Sequence, residues 1–191
     1  MTFDKYIDYL VEATKNVDTK QIENFIELVV NAYKEEKTIF VIGNGGSAAS
    51  ASHLAQDLAK GTRPSIDSPK RIRAVSLTDN IAFITALGND DGYDVIFEQQ
   101  LRTFAKPGDI VMAISGSGNS PNIIKAIEWA NKNGLVTVGI TGFNGGKLKQ
   151  MNTHSLHVEL NDMCTAESIH SVLLHYIVIE IQKRIKHEAA V

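Results

Sequence analysis

Two pairs of residues in this sequence are of types that bind metal ions or move protons. His53 and Asp57 stand four apart in a segment that opens at a glycine loop, and at about 100° per residue they share one face of a helix. Glu167 and His175 stand eight apart near the C-terminus, within about 80° of each other around a helix but more than two turns apart along it. Imidazole and carboxylate are both zinc ligands. Each residue taken singly reads equally well as a histidine in a packing contact or a solvated carboxylate, so the pairs by themselves leave a metal site open. His154, His157, His170 and His187 have no such arrangement and read as structural or exposed.

Two loops suggest a second kind of chemistry. Ser115-Gly116-Ser117-Gly118-Asn119-Ser120 sets three hydroxyls and two glycines just before Pro121, at the start of a helix-like segment. Hydroxyls and backbone amides there donate hydrogen bonds to a terminal phosphate, and the helix dipole favours its charge. An ordinary N-cap needs one hydroxyl, not three. The Gly-Lys-Ser/Thr ending of a nucleoside triphosphate loop is missing, which argues against a kinase or ATPase. Gly43-Asn44-Gly45-Gly46-Ser47 also opens a helix, and its glycines let backbone N–H groups approach a ligand closely. A tight turn without a ligand is the alternative. With Ala48 the same loop fits the dinucleotide pattern G-x-G-x-x-A, but the acidic residue expected about 20 positions on is replaced by a proline-containing stretch.

These residues need elements to position them. From Phe3 to Glu36 the pattern is helical: Ile22, Phe25, Ile26, Val29, Val30 and Tyr33 make one apolar stripe, and Asp18 and Thr19 are N-cap candidates between two helices. The period then changes. Thr38–Ile42, Arg73–Leu77, Ile110–Ile114 and Val136–Ile140 are short apolar runs with little alternation, as expected for strands covered on both faces. Helix-like segments lie between them at Ala48–Ala59, Ile81–Leu87, Val95–Phe104 and Pro121–Asn133. Leu156-His157-Val158 adds a short last strand, and a long helix over Thr165–Lys186 closes the chain. Strand alternating with helix predicts an α/β fold, a parallel sheet with helices on both sides. Ligands of such sheets sit beyond the carboxyl ends of the strands, where both loops and Gly88-Asn89-Asp90-Asp91 fall. Gly61–Lys70, with two prolines, reads as a mobile loop.

The whole-chain properties exclude several classes. A length of 191 residues suits one domain, 43% hydrophobic and 21% charged residues are ordinary for a soluble protein, and a formal net charge of -3 gives no field that draws the chain onto nucleic acid or an anionic membrane. Cys164 is the single cysteine, so no intrachain disulfide forms. No signal peptide is evident at the N-terminus, and no apolar stretch reaches the roughly 18 residues of a membrane span.

Taken together the motifs resemble the sugar-isomerase (SIS) domain family, and within it the phosphoheptose isomerases. The carrying residues are Gly43-Asn44-Gly45-Gly46-Ser47-Ala48, His53 four before an acid, Gly88-Asn89-Asp90, Ile114 with Ser115–Ser120, Thr141-Gly142 with Gly145-Gly146, and His170 five before His175. The chain departs from that family at four places. The family has Glu at Asp57, Gln at Glu167, often Thr at Gly116, and an Arg near Gly61.

The resemblance implies a three-layer, mostly parallel flavodoxin-like sheet flanked by helices. It also implies one domain over 1–191, with an N-terminal helical hairpin (1–36) on a sugar-phosphate-binding core (37–191). It implies substrate contacts at Asn44, Gly45, Gly46, Asp57, Asn89, Asp90, Ser115, Gly116, Ser117, Ser120 and Glu167. It implies one divalent metal per chain, zinc, held by His53, Asp57, Glu167 and His175. Asp57 and His175 are then the proton carriers of an aldose–ketose isomerisation of sedoheptulose 7-phosphate, a step towards activated heptose for surface polysaccharide. The implied enzyme is a cytoplasmic homotetramer without nucleic-acid or membrane partners. Its sites are completed across subunits, the last helix of one chain meeting the glycine loop of another. Val172, Leu173, Ile177 and Ile181 look like apolar positions left over for such contacts. An isomerase of another sugar phosphate and a non-catalytic phosphosugar- or protein-binding module are the alternatives.

Overall fold

In the computed structural model, which describes residues 1–188, the apolar runs form a five-stranded, all-parallel sheet. Helices α1 (Phe3–Lys15) and α2 (Thr19–Lys34) form the N-terminal hairpin, and Asp18 caps α2 by accepting a hydrogen bond from the Lys20 N–H. The core follows as β1 (Thr38–Gly43), α3 (Gly46–Gln56), β2 (Arg73–Ser76), α4 (Ile81–Asp90), α5 (Ile96–Phe104), β3 (Ile110–Ser115), α6 (Pro121–Lys132), β4 (Val136–Thr141), α7 (Gly146–Met151), β5 (His154–His157) and α8 (Met163–Glu188). Pro121 occupies the first turn of α6, where its missing N–H costs nothing. The strand order is β2-β1-β3-β4-β5, so the sheet grows in opposite directions on either side of the β1/β3 pair.

Alternate residues of β1 and β3 serve two cores. Ile39 and Val41 of β1 pack with Met112, Ile114 and Ile140 against α2, α3 and α8. Phe40 and Ile42 pack with Val111 and Ala113 against α5 and α6. The result is the expected three-layer arrangement of helices, sheet and helices.

Four details differ from the sequence expectation. Arg73–Ser76 is not covered on both faces: it is the edge strand, and Val75 is 43% exposed. The helix from the glycine loop ends at Gln56 and continues as one π-helical turn, Asp57–Gly61. Gly88-Asn89-Asp90 is the last turn of α4 rather than a loop, because the Asn80 cap starts a helix that nothing stops before Asp91. Leu173, Ile177 and Ile181 are not surplus apolar positions: with Ile169 and Ile185 they form the buried stripe of α8, four residues apart on one face. A second stripe on α8, Val172, Tyr176 and Ile179, is half exposed, as are Ile7 and Val11 along α1, where Phe3 is mostly exposed.

The serine loop is held from behind by backbone and by Asn119, whose Oδ1 accepts from the Lys147 N–H at 3.1 Å. Gly118 has φ +63°, its carbonyl accepts from the Leu148 N–H at 3.0 Å, and a Cβ on it would overlap the Gly145 carbonyl. Gly118→Ala therefore meets a left-handed backbone cost of about 1–2 kcal/mol plus that overlap. We expect its thermal midpoint to fall by several degrees, whereas Gly88→Ala, in α4 with open space around its Cβ, leaves the midpoint unchanged or raises it.

Candidate active site

The reversal of strand order separates the chain after β1 from the chain after β3. The glycine loop leads into α3 on one face of the sheet and the serine loop leads into α6 on the other, although Gly43 and Ile114 are paired neighbours in the sheet. A cleft of about 160 Å³ opens between them, lined by Asn44, Ser115, Gly116, Ser117, Ser120 and Glu167, together with Ser47 and Met163. Two helix N-termini therefore face one small space. Gly45, at φ +54°, turns the chain into α3 without a side-chain cap, and Ser120 precedes α6 with its hydroxyl making no capping bond. Open amides, free hydroxyls and two positive dipole ends are what a phosphate requires.

Glu167 lies across this cleft, its carboxylate oxygens 3.6 and 3.7 Å from where a Gly46 Cβ would stand. A carboxylate repels a phosphate and accepts hydrogen bonds from hydroxyls, so Glu167 suits the polyol part of a phosphosugar. Met163 packs against Gly116, in the space a side chain at position 116 would take. Asn89 and Asp90 do not line this cleft; on the exposed end of α4, Asn89 Nδ2 donates to Asp90 Oδ1 at 2.7 Å.

At the far end of α3 the structure brings together His53, Asp57 and His175. Asp57 Oδ2 lies 3.4 Å from His53 Nε2 and 3.9 Å from His175 Nε2, and the two imidazole rings meet edge to face at 5.1 Å between centroids. One donor atom from each of the three lies within 4.8 Å of the others. Two histidines and a carboxylate are a common zinc donor set that leaves a position open for substrate. The π-helical turn begins at Asp57, and Gln182 of α8 donates to the Gly61 carbonyl at 2.6 Å where that turn ends, so α8 holds the turn in place.

Glu167 and the last helix take these places within one chain. Glu167 lies outside the trio among the described residues, eight residues of helix rise, about 12 Å along α8, before His175. The last helix also meets the glycine loop of its own chain, Glu167 beside Gly46 and His175 beside Asp57. The chain returns from β5 so that α8 lies against α2 and α3 on one face of the sheet. Chains carrying Asp57→Ala and chains carrying His175→Ala, each inactive, are therefore expected to restore no activity when refolded together, since no mixed site gains both groups.

The SIS domain family model matches residues 2–142. A protein of Thermoplasma acidophilum named "Probable phosphoheptose isomerase" is 35% identical over 180 residues, covering 94% of this chain and 97% of its own. The phosphoheptose isomerase of Clostridium acetobutylicum is 36% identical, covering 87% of this chain and 83% of its own. The structure of phosphoheptose isomerase from Neisseria gonorrhoeae superposes with a TM-score of 0.85 at 28% identity, covering 94% of this chain and 96% of that one.

The chain belongs to the SIS domain family, in its phosphoheptose isomerase group. The features of this SIS domain that sequence reasoning did not find are all tertiary. Met163 lines the cleft only because α8 starts there. Tyr93 and Asn122 reach Asn44 from other elements, and nothing in their local sequence marks them.

Two of the remaining histidines are buried and structural. His170 Nε2 donates to the Thr141 carbonyl at 3.0 Å, and His157 Nδ1 meets the Thr141 hydroxyl at 2.9 Å, which anchors α8 and β5 to the end of β4. Burial pushes the His170 imidazole below its ordinary 6.5, so the unfolded chain binds this proton more readily than the folded one. The resulting stability is complete above 6.5 and is lost as the pH falls through that value towards the lower folded-state pKa. We expect urea-unfolding stability to fall less steeply below about pH 6.5 in His170→Gln than in the wild type.

Proposed function

We propose that this protein is a phosphoheptose isomerase that converts sedoheptulose 7-phosphate into D-glycero-D-manno-heptose 7-phosphate, supplying activated heptose for surface polysaccharide. The observation that carries this reading is the placing of a phosphate cleft and a His–Asp–His trio at two ends of one helix in the same chain. His53 stands seven residues beyond Gly46, about 10 Å of helix rise, which is comparable with an extended seven-carbon chain bearing a terminal phosphate.

Ser115, Ser117 and Ser120, with the amides of Gly45, Gly46 and Gly116, hold the phosphate, and Asn44 and Glu167 take sugar hydroxyls. Asn89 and Asp90 stand at the exposed rim, where they meet the substrate only if it extends past the cleft. Asp57 removes the proton from C1 of the ketose while O2 gains one, giving an enediol. Protonation at C2 and loss of the O1 proton complete the aldose. His175 carries the oxygen-bound protons, being 3.9 Å from Asp57. A single zinc held by His53, Asp57 and His175 supplies Lewis-acid polarisation of the carbonyl when bound. The enzyme acts as a homotetramer in the cytoplasm, built from one SIS domain per chain, and the half-exposed stripes of α1 and α8 supply apolar contact surface between chains. No helix among the described residues is long and apolar enough to cross a membrane.

Incubation with sedoheptulose 7-phosphate, followed by NMR, is expected to show the aldose forming. Asp57→Ala is expected to lower kcat about 100-fold or more. Added zinc is expected to raise the thermal midpoint of the wild type and not that of Asp57→Ala. Turnover of a different sugar phosphate in place of this one would move the substrate assignment, and no turnover of any would leave a binding module.

A further inference from the structure

Asn122, in the first turn of α6, is 2% exposed, and its carboxamide faces that of Asn44 in the glycine loop. Asn44 Nδ2 donates to Asn122 Oδ1 at 2.9 Å and Asn122 Nδ2 donates back to Asn44 Oδ1 at 2.9 Å. The orientation of both amides follows from a third contact. The backbone N–H of Ile123 lies 3.0 Å from the Asn122 side chain, and a donor there requires that atom to be the oxygen. Asn122 then presents its nitrogen to Asn44, which must answer with oxygen. That oxygen also accepts from the Tyr93 hydroxyl at 3.1 Å. Both lone pairs of Asn44 Oδ1 and one of its two N–H bonds are thus taken, and a single N–H is left for a ligand.

We infer that Asn122 is a positioning residue of the phosphosugar site. It holds the Asn44 carboxamide with its one free N–H in a set direction, and it ties the glycine loop to the helix that follows the serine loop. The two loops start from neighbouring strands but lead to opposite faces of the sheet, and this amide pair is the side-chain link across the gap between them. The inference rests on the phosphoheptose isomerase reading for its substrate, and on the geometry alone for the link.

The test is a mutant cycle on sedoheptulose 7-phosphate with Asn44→Ala, Asn122→Ala and the double variant, and with Asn122→Asp as a near-isosteric check. Aspartate keeps the acceptor for Ile123 and loses the donor to Asn44. Asn122→Ala and Asn122→Asp are each expected to raise KM about tenfold, the equivalent of one hydrogen bond, with kcat within about twofold. The double variant is expected to be no worse than the poorer single variant, because the two residues act as one unit. A residue that only supports the fold would lower the thermal midpoint and the active fraction while leaving the KM of the folded enzyme unchanged. That result, or effects on KM that multiply in the double variant, would overturn the inference. Absence of turnover by the wild type would instead overturn the isomerase reading. Calorimetric binding of sedoheptulose 7-phosphate to the same proteins would then decide the link by the same criteria.

Discussion

The site depends on one topological constraint: a parallel sheet whose strand order reverses between β1 and β3. Each strand must be followed by a crossover to reach the next parallel strand, and the handedness of that crossover is set by chain chirality. Strands added on one side of β1 therefore put their helices on one face, and strands added on the other side put them on the opposite face. Between β1 and β3 the two connections part, and the crevice they leave cannot be filled by the sheet itself. Asn44 to Gly46 and Ser115 to Ser120 come from these two connections.

The second organising element is α8. Its buried stripe from Ile169 to Ile185 repeats every four residues and locks the helix into the core beside α2 and α3. Once that stripe is set, the directions of Glu167, His170 and His175 are set with it. Glu167 reaches the phosphosugar cleft, His170 anchors to Thr141, and His175 reaches Asp57. A rigid helix thus carries these side chains to places about 12 Å apart along its axis. Asp57 closes α3 with its backbone N–H bonded to the His53 carbonyl, and the π-helical turn follows it on the facing side.

Polar groups buried at the rim of the sheet hold the loops in register. Asp109 accepts from the backbone N–H groups of Thr38 and Lys106 at 2.8 Å each, tying the start of β1 to the turn before β3. Thr141 receives both buried histidines at the opposite end of the sheet. Removing one partner of such a pair leaves a buried group without a hydrogen bond, which costs more than the bond itself contributes. The sheet ends are therefore stiffer than their apolar packing alone would make them, and the loops that leave them start from well-defined points.

The sequence by itself determined the α/β class, the positions of all five strands to within a few residues and the two loops that border the cleft. It could do so because runs such as Ile110–Ile114 and the Gly/Ser clusters after them are local signals, read from neighbours in the chain. It also placed His53 with Asp57, since four residues of helix are a local relation. Only the tertiary structure decided that His175 lies beside Asp57 within one chain, because helical angle is legible in sequence and the partner across a helix interface is not. The same limit hid Asn122 and Tyr93, whose role comes from touching Asn44 78 and 49 residues away. It also explains why Leu173, Ile177 and Ile181 looked surplus: an apolar stripe announces that it will be buried, but only the packed fold says against what.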